Sequence, residues 1–192
     1  MFGAMELEVS AEAKDKRLNR LIAITVVILS VFTGVCNIKD GNLVQNMALA
    51  KADSVDRWAQ YQATKTKLHI AETARDEIGV IAVGSPDNKA AVAAQLRLSE
   101  DIAKYKVEAP KLANEAKTLS GRYDALNLHD DQFDASDALV ATAISMAAVA
   151  ALTESFGLLI AAWVFGAFGV FMGICGFAGW GFHPDVLSNF LG

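Results

Sequence analysis

The sequence predicts an all-α protein, with three transmembrane helices and a long extracytoplasmic antiparallel helical hairpin of coiled-coil type. Three observations carry that prediction. Apolar residues collect in two stretches, Leu18 to Ile38 and Ala138 to Phe182, instead of being spread through the 192 residues as a single globular core requires. The stretch between them is charged and alanine-rich, with apolar residues at three- and four-residue steps. The second apolar run is about twice the length that one bilayer crossing needs, and polar residues interrupt it.

Residues 1–17 read as a cytoplasmic segment and residues 18–38 as the first span. LIAITVVILSVFTGVCNI, from Leu21 to Ile38, carries no charge. About 20 apolar residues in a helix cross a bilayer, because helical backbone groups satisfy one another without water. Lys14, Lys16, Arg17 and Arg20 lie in front of this run, and the positive-inside rule then places the N-terminus in the cytoplasm. A signal peptide's small-residue cleavage site is missing after it. In Thr33 to Cys36 the bulky Val35 stands where a lipoprotein box carries Gly or Ala, so the run reads as an uncleaved anchor.

Residues 39–136 read as the hairpin. Its second arm carries Ala91, Ala94, Leu98, Ile102, Tyr105, Ala109, Leu112, Ala116, Leu119, Tyr123 and Leu126 at strictly alternating three- and four-residue steps, the spacing of a coiled-coil seam. The first arm, Asn42 to Ile78, places Val44, Ala48, Ala52, Val55, Ala59 and Ile70 down one side. Gly84-Ser85-Pro86-Asp87 separates the arms as a helix stop, an N-cap and a first-turn proline. Pro110 falls inside the second arm. It removes one helical hydrogen bond at a cost of ~3 kcal/mol, which predicts a kink or break near Val107 to Pro110.

Residues 137–155 and 157–182 read as the second and third spans, followed by a tail at 183–192. As one helix, Ala138 to Gly181 would reach roughly 65 Å at 1.5 Å per residue. Thr153, Glu154 and Ser155, followed by Gly157, divide it. Crossing count then puts the hairpin and the C-terminus outside the cytoplasm. In lipid, helices associate through close contact between small residues. Gly166, Gly169, Gly173 and Gly176 form such a row, and Ala138, Ala141, Ser145 and Ala148 offer a matching one, within a chain or between chains.

ADSVDRWAQYQATKTKLH, from Ala52 to His69, resembles the signature of a bacterial family of membrane proteins, domain of unknown function 4337, at Trp58, Tyr61, Gln62, Ala63 and Lys67. Thr64 and Lys65 depart from it, since the signature usually has Lys and Ser there. KDKRLNRLIAITVVILSV (Lys14 to Val31) and HDDQFDASDALVATAISMAAVAALT (His129 to Thr153) are similar to the same family. The resemblance implies a bacterial membrane protein with three spans and a helical middle, so the expected location is the inner membrane with the hairpin in the periplasm, and it implies no activity.

The remaining residues exclude more than they assign. A net charge of −5 argues against nucleic-acid binding, and Cys36 and Cys175 make neither a disulfide framework nor a zinc pattern. No H-E-x-x-H, P-loop, G-x-G-x-x-G or Ser/His/Asp set appears, so no enzyme and no cofactor is expected. His129, Asp130, Asp131 and Asp134 are weak candidates for a metal site without any established loop spacing. The reading preferred for this stretch has Asp134 or Ser136 capping the next helix while the other acids face water. Glu154 reads as a solvated carboxylate in the turn between spans. Trp58, Tyr61 and Gln62, with Lys65 and His69, form a face for packing or binding. The function expected is a membrane scaffold or assembly protein forming a homo-oligomer through the glycine-rich helix and the hairpin. Membrane lipid and copies of itself are its partners, or else another membrane protein. The alternatives are an oligomeric pore and a metal-binding membrane sensor.

Overall fold

A computed structural model describes residues 2–83 and 88–182, with side chains from residue 16 onward. It holds three helices, α1 (Phe2–Ala82), α2 (Lys89–Leu152) and α3 (Phe156–Ala178), and no strand among the described residues. Each helix contains a stretch long and apolar enough to cross a membrane. No proline interrupts α1. The stop expected at Gly84 to Asp87 lies outside the described residues, and the cap that opens α2 is Asn88. Its side-chain oxygen accepts the N–H of Ala91 at 3.1 Å, satisfying a donor that the first helical turn leaves unpaired. The capping role expected of Asp134 or Ser136 is corrected by the same assignment. Both lie in the interior of α2, where no helix end needs a cap.

α2 also runs through Pro110 without a break, so of the kink or break expected there the break does not occur. Pro110 is exposed while its neighbours Ala109 and Leu112 are buried, so the packing row passes it undisturbed. α2 ends at Thr153 and Glu154. There Ser155 N–H reaches back to Ala150 O at 3.2 Å and Glu154 adopts φ 53, a left-handed conformation unusual for a residue with a β-carbon. α3 closes on the same device with the expected residue type, Gly179 at φ 67, and Trp180 N–H bonds Cys175 O at 3.1 Å.

The chain forms two compact units, Met1–Asn46 with Ala125–Gly192, and Met47–Asp124. The first is a three-helix unit. Leu18, Ile22, Ala147, Ala150, Leu159 and Ala162 make one part of its core, and Leu29, Val140 and Ala143 another. The buried row of α2 is Phe133, Ser136, Val140, Ala143, Ala147 and Ala150. Of the row expected to face the glycines, Ala141, Ser145 and Ala148 are exposed and Ala138 is only half-buried, which corrects that pairing. Glycines leave holes, and the larger Phe133 and Val140 fill them better than alanine does. Outward the unit shows Ile24, Val27, Ile28 and Val31 of α1 and Val164, Phe165, Phe168 and Phe171 of α3, a surface that suits lipid.

The second is a two-helix unit, whose α1 and α2 contacts run in antiparallel order. Ser54 meets Ala116, Glu72 meets Lys106, and Gly79 lies against Gln95. On α2 the buried and half-buried residues follow the predicted seam, with Ile102, Ala109, Leu112 and Ala116 fully covered. On α1 the expected row is wrong. Val55 and Ile70 are 59% and 64% exposed, and Ala48, Ala52 and Ala59 are exposed too, as is Val44 in the other unit. The residues that α1 buries here are Met47, Ala50, Ser54, Thr64, Leu68 and Ala71. Two of them are polar, so a search for apolar spacing passes over the row. Ser54 is nonetheless satisfied, donating to Ala116 O at 3.1 Å or sharing a hydrogen bond with Ser120 Oγ at 2.9 Å.

Candidate functional site

Three groups of residues stand out, and each lies inside one unit. The glycine row comes first. A β-carbon at Gly169 would stand 2.7 Å from Val140 Cγ2 and 3.1 Å from both Ser136 O and Val140 N, so the backbones of α2 and α3 themselves set the limit. At Gly173 it would meet Phe32 at 2.6 Å and Ser136 Oγ at 2.9 Å, and at Gly176 the Phe133 ring at 2.9 Å. Gly166 rests on Leu29. The row is therefore filled by helices of the same chain. Upstream it continues through Leu159 and Ala162, also buried, which glycine counting did not include. A hydrogen bond from Trp163 Nε1 to Thr25 Oγ1 at 2.9 Å joins α3 to α1 beside it.

The second group is acidic. Asp40 of α1 and Asp130 of α2 lie close together, with Asp134 and Asp137 near enough to act on them electrostatically. Burial first, and then the negative neighbours Asp40 and Asp134, push Asp130 up to about 6. Burial likewise raises Asp40 and Asp134 above the ordinary carboxylate range. One oxygen of Asp40 is buried without a hydrogen bond.

Of the weak metal candidates, Asp130 and Asp134 join this group. His129 instead turns to Gln132, its Nδ1 lying 3.0 Å from Gln132 Oε1. Since an amide oxygen only accepts, His129 donates there. No group of three or more His, Cys, Asp or Glu is placed to hold a metal ion among the described residues. Gln132 is the residue that sequence reasoning missed. It is 0% exposed, and its Nε2 donates to Trp180 O at 2.8 Å and to Phe182 O, tying the segment after α3 to α2. The only sequence signal was an uncharged amide within a run of acids.

The third group is the Trp58 face of the two-helix unit. Trp58 and Tyr61 are half-buried and meet edge to face with centroids 5.6 Å apart, while Gln62 is exposed. Lys65 and His69 follow on the same side. Three residues beyond His69 on the same helix, Glu72 accepts Lys106 Nζ of α2 at 3.0 Å, which holds its carboxyl below the usual range.

A small-residue interior, an outward apolar surface and three helices fit to cross a bilayer define an all-helical membrane protein. The chain belongs to the family described as domain of unknown function (DUF4337), whose model matches residues 18–179. No curated protein and no solved structure matches it.

Proposed function

We propose that the protein is a non-enzymatic membrane scaffold that assembles into a homo-oligomer, with its two-helix unit as the outer surface of contact. One observation carries this reading: Leu49, Val55 and Ile70 on the outer side of α1 are exposed although they lie in the unit with the charged, water-compatible composition. Exposed apolar residues recurring along one helix mark a partner surface, and symmetric copies of the same chain are the commonest partner. The glycine row is occupied within the chain, so the contacts between copies pass through this face and the neighbouring Trp58, Tyr61 and Gln62. In this reading the N-terminus is cytoplasmic, following Lys14, Lys16, Arg17 and Arg20, and the two-helix unit is a periplasmic hairpin of a bacterial inner-membrane protein.

Native mass spectrometry on the protein in lipid nanodiscs tests the reading. A defined oligomer that falls to a monomer on Val55→Glu with Ile70→Glu, with helicity unchanged, is the expected result. A wild-type monomer, or an oligomer indifferent to both substitutions, overturns it.

A further inference from the structure

We propose that the two-helix unit carries a binding groove for a phosphate-bearing polar ligand, between the Tyr61-to-Glu72 segment of α1 and the Lys106-to-Lys117 segment of α2. The groove has a volume of about 560 Å³, within the range of small-molecule sites. Small side chains open it, since Ala109 and Ala113 line its α2 wall beside Pro110.

The chemistry of the lining selects the ligand. Lys65, Lys106 and Lys117 face the groove together with His69, and Glu72 is the one acid among its residues. Glu72 is already engaged by Lys106 at 3.0 Å. Lys65 and Lys117 have no ion-pair partner among the described residues, which leaves two free ammonium groups, one on each helix. The Tyr61 hydroxyl and the Asn114 amide add neutral donors. In a chain of net charge −5 this is a local excess of positive charge with donors on both walls. An oxyanion with several acceptor oxygens satisfies that set, and a phosphate group does so with the charge the two lysines lack. Leu68 and the alanines leave an apolar floor for the body that bears the phosphate. The inference rests on the pairing of α1 and α2 within one chain and not on the assembly proposed above, although Tyr61 belongs to both surfaces.

The test uses the full chain in a neutral detergent. Inorganic pyrophosphate and glycerol 3-phosphate are titrated calorimetrically, and a short-chain phosphatidylglycerol below its micellar concentration is titrated in parallel. Saturable binding of one ligand per chain is expected, weakening as salt rises and at least about 10-fold weaker in the Lys65→Gln, Lys117→Gln double variant. Lys67→Gln removes an exposed charge outside the groove and is expected to leave binding unchanged. Tighter binding of the lipid than of both soluble phosphates assigns the site to a headgroup, and the reverse order assigns it to a soluble ester. No saturable binding of any probe up to about 10 mM, or equal loss in Lys67→Gln, overturns the proposal.

Discussion

The same two helices, α1 and α2, pack by different means in the two units. In the three-helix unit they meet α3 across Gly166, Gly169, Gly173 and Gly176, with Val140, Phe32 and Phe133 seated where β-carbons would be. In the two-helix unit they meet each other through Leu68, Ala71 and Ile102, and beside these through Arg57–Glu115 at 3.4 Å, Glu72–Lys106 at 3.0 Å and Lys51 over the Tyr123 ring at 5.1 Å. The difference follows from the solvent each composition suits. Lipid supplies no hydrophobic force between helices, so close backbone approach must hold them. Water drives apolar burial and tolerates long charged side chains at its edges, where an ion pair adds little more than order.

The contrast breaks most visibly at glycine. Gly169→Ala pushes a β-carbon into Val140 and into backbone, and is expected to destabilise the three-helix unit by about 2 kcal/mol even after the gain in helix propensity. Loss of cooperative unfolding at lower temperature, followed by circular dichroism in detergent, reports it. Gln132→Ala acts next. Trp180 O and Phe182 O lose the donor that ties these exposed residues to the buried Gln132, and a cost of roughly 1 kcal/mol is expected, with faster amide exchange after Ala178 as its local signature.

Proton concentration divides the units by sign. Asp130 binds its proton more tightly in the fold than in the unfolded chain. Its penalty is therefore absent below the ordinary carboxylate value and grows as pH rises toward about 6. Asp130→Asn is expected to add about 1 kcal/mol at neutral pH, a figure reduced for the partial exposure of the site, and nothing near pH 4. Glu72 runs the other way: Lys106 lowers it, so its contribution is present above the ordinary carboxylate range and fades as pH falls below it. Comparing unfolding of wild type, Asp130→Asn and Glu72→Gln across this window separates the two. The smallest effect sharpens the comparison most. Gly79→Ala in the two-helix unit meets only the end of Gln95, at 3.3 Å, and is expected to stabilise by about 0.5 kcal/mol, the opposite sign from Gly169→Ala.

Much of this was legible in the residues. The three candidate spans follow from composition, and the seam from Ala91 to Leu126 and the importance of the glycine row follow from spacing, because a helix repeats every 3.6 residues whatever it touches. Spacing failed where polar residues are buried. Ser54 and Thr64 hold the inner face of α1, so the apolar row through Val55 and Ile70 looked like the core and is exposed. The acidic run read as a cap and a solvated face, whereas Asp130 reaches across to Asp40, ninety residues earlier in the chain. No local pattern joins positions so far apart.

By itself, the sequence determined that the chain is helical, where its helices are apolar enough for a membrane, and that one of them is lined with glycine. Those properties belong to single segments: composition, period and the absence of a β-carbon. Only the tertiary structure decided which face of each helix is inside, that the glycines receive Val140 and Phe133 instead of a row of alanines, and that Gln132 and Asp130 have distant partners. A face is chosen by the shape of what packs against it, and that shape exists only once the helices have come together.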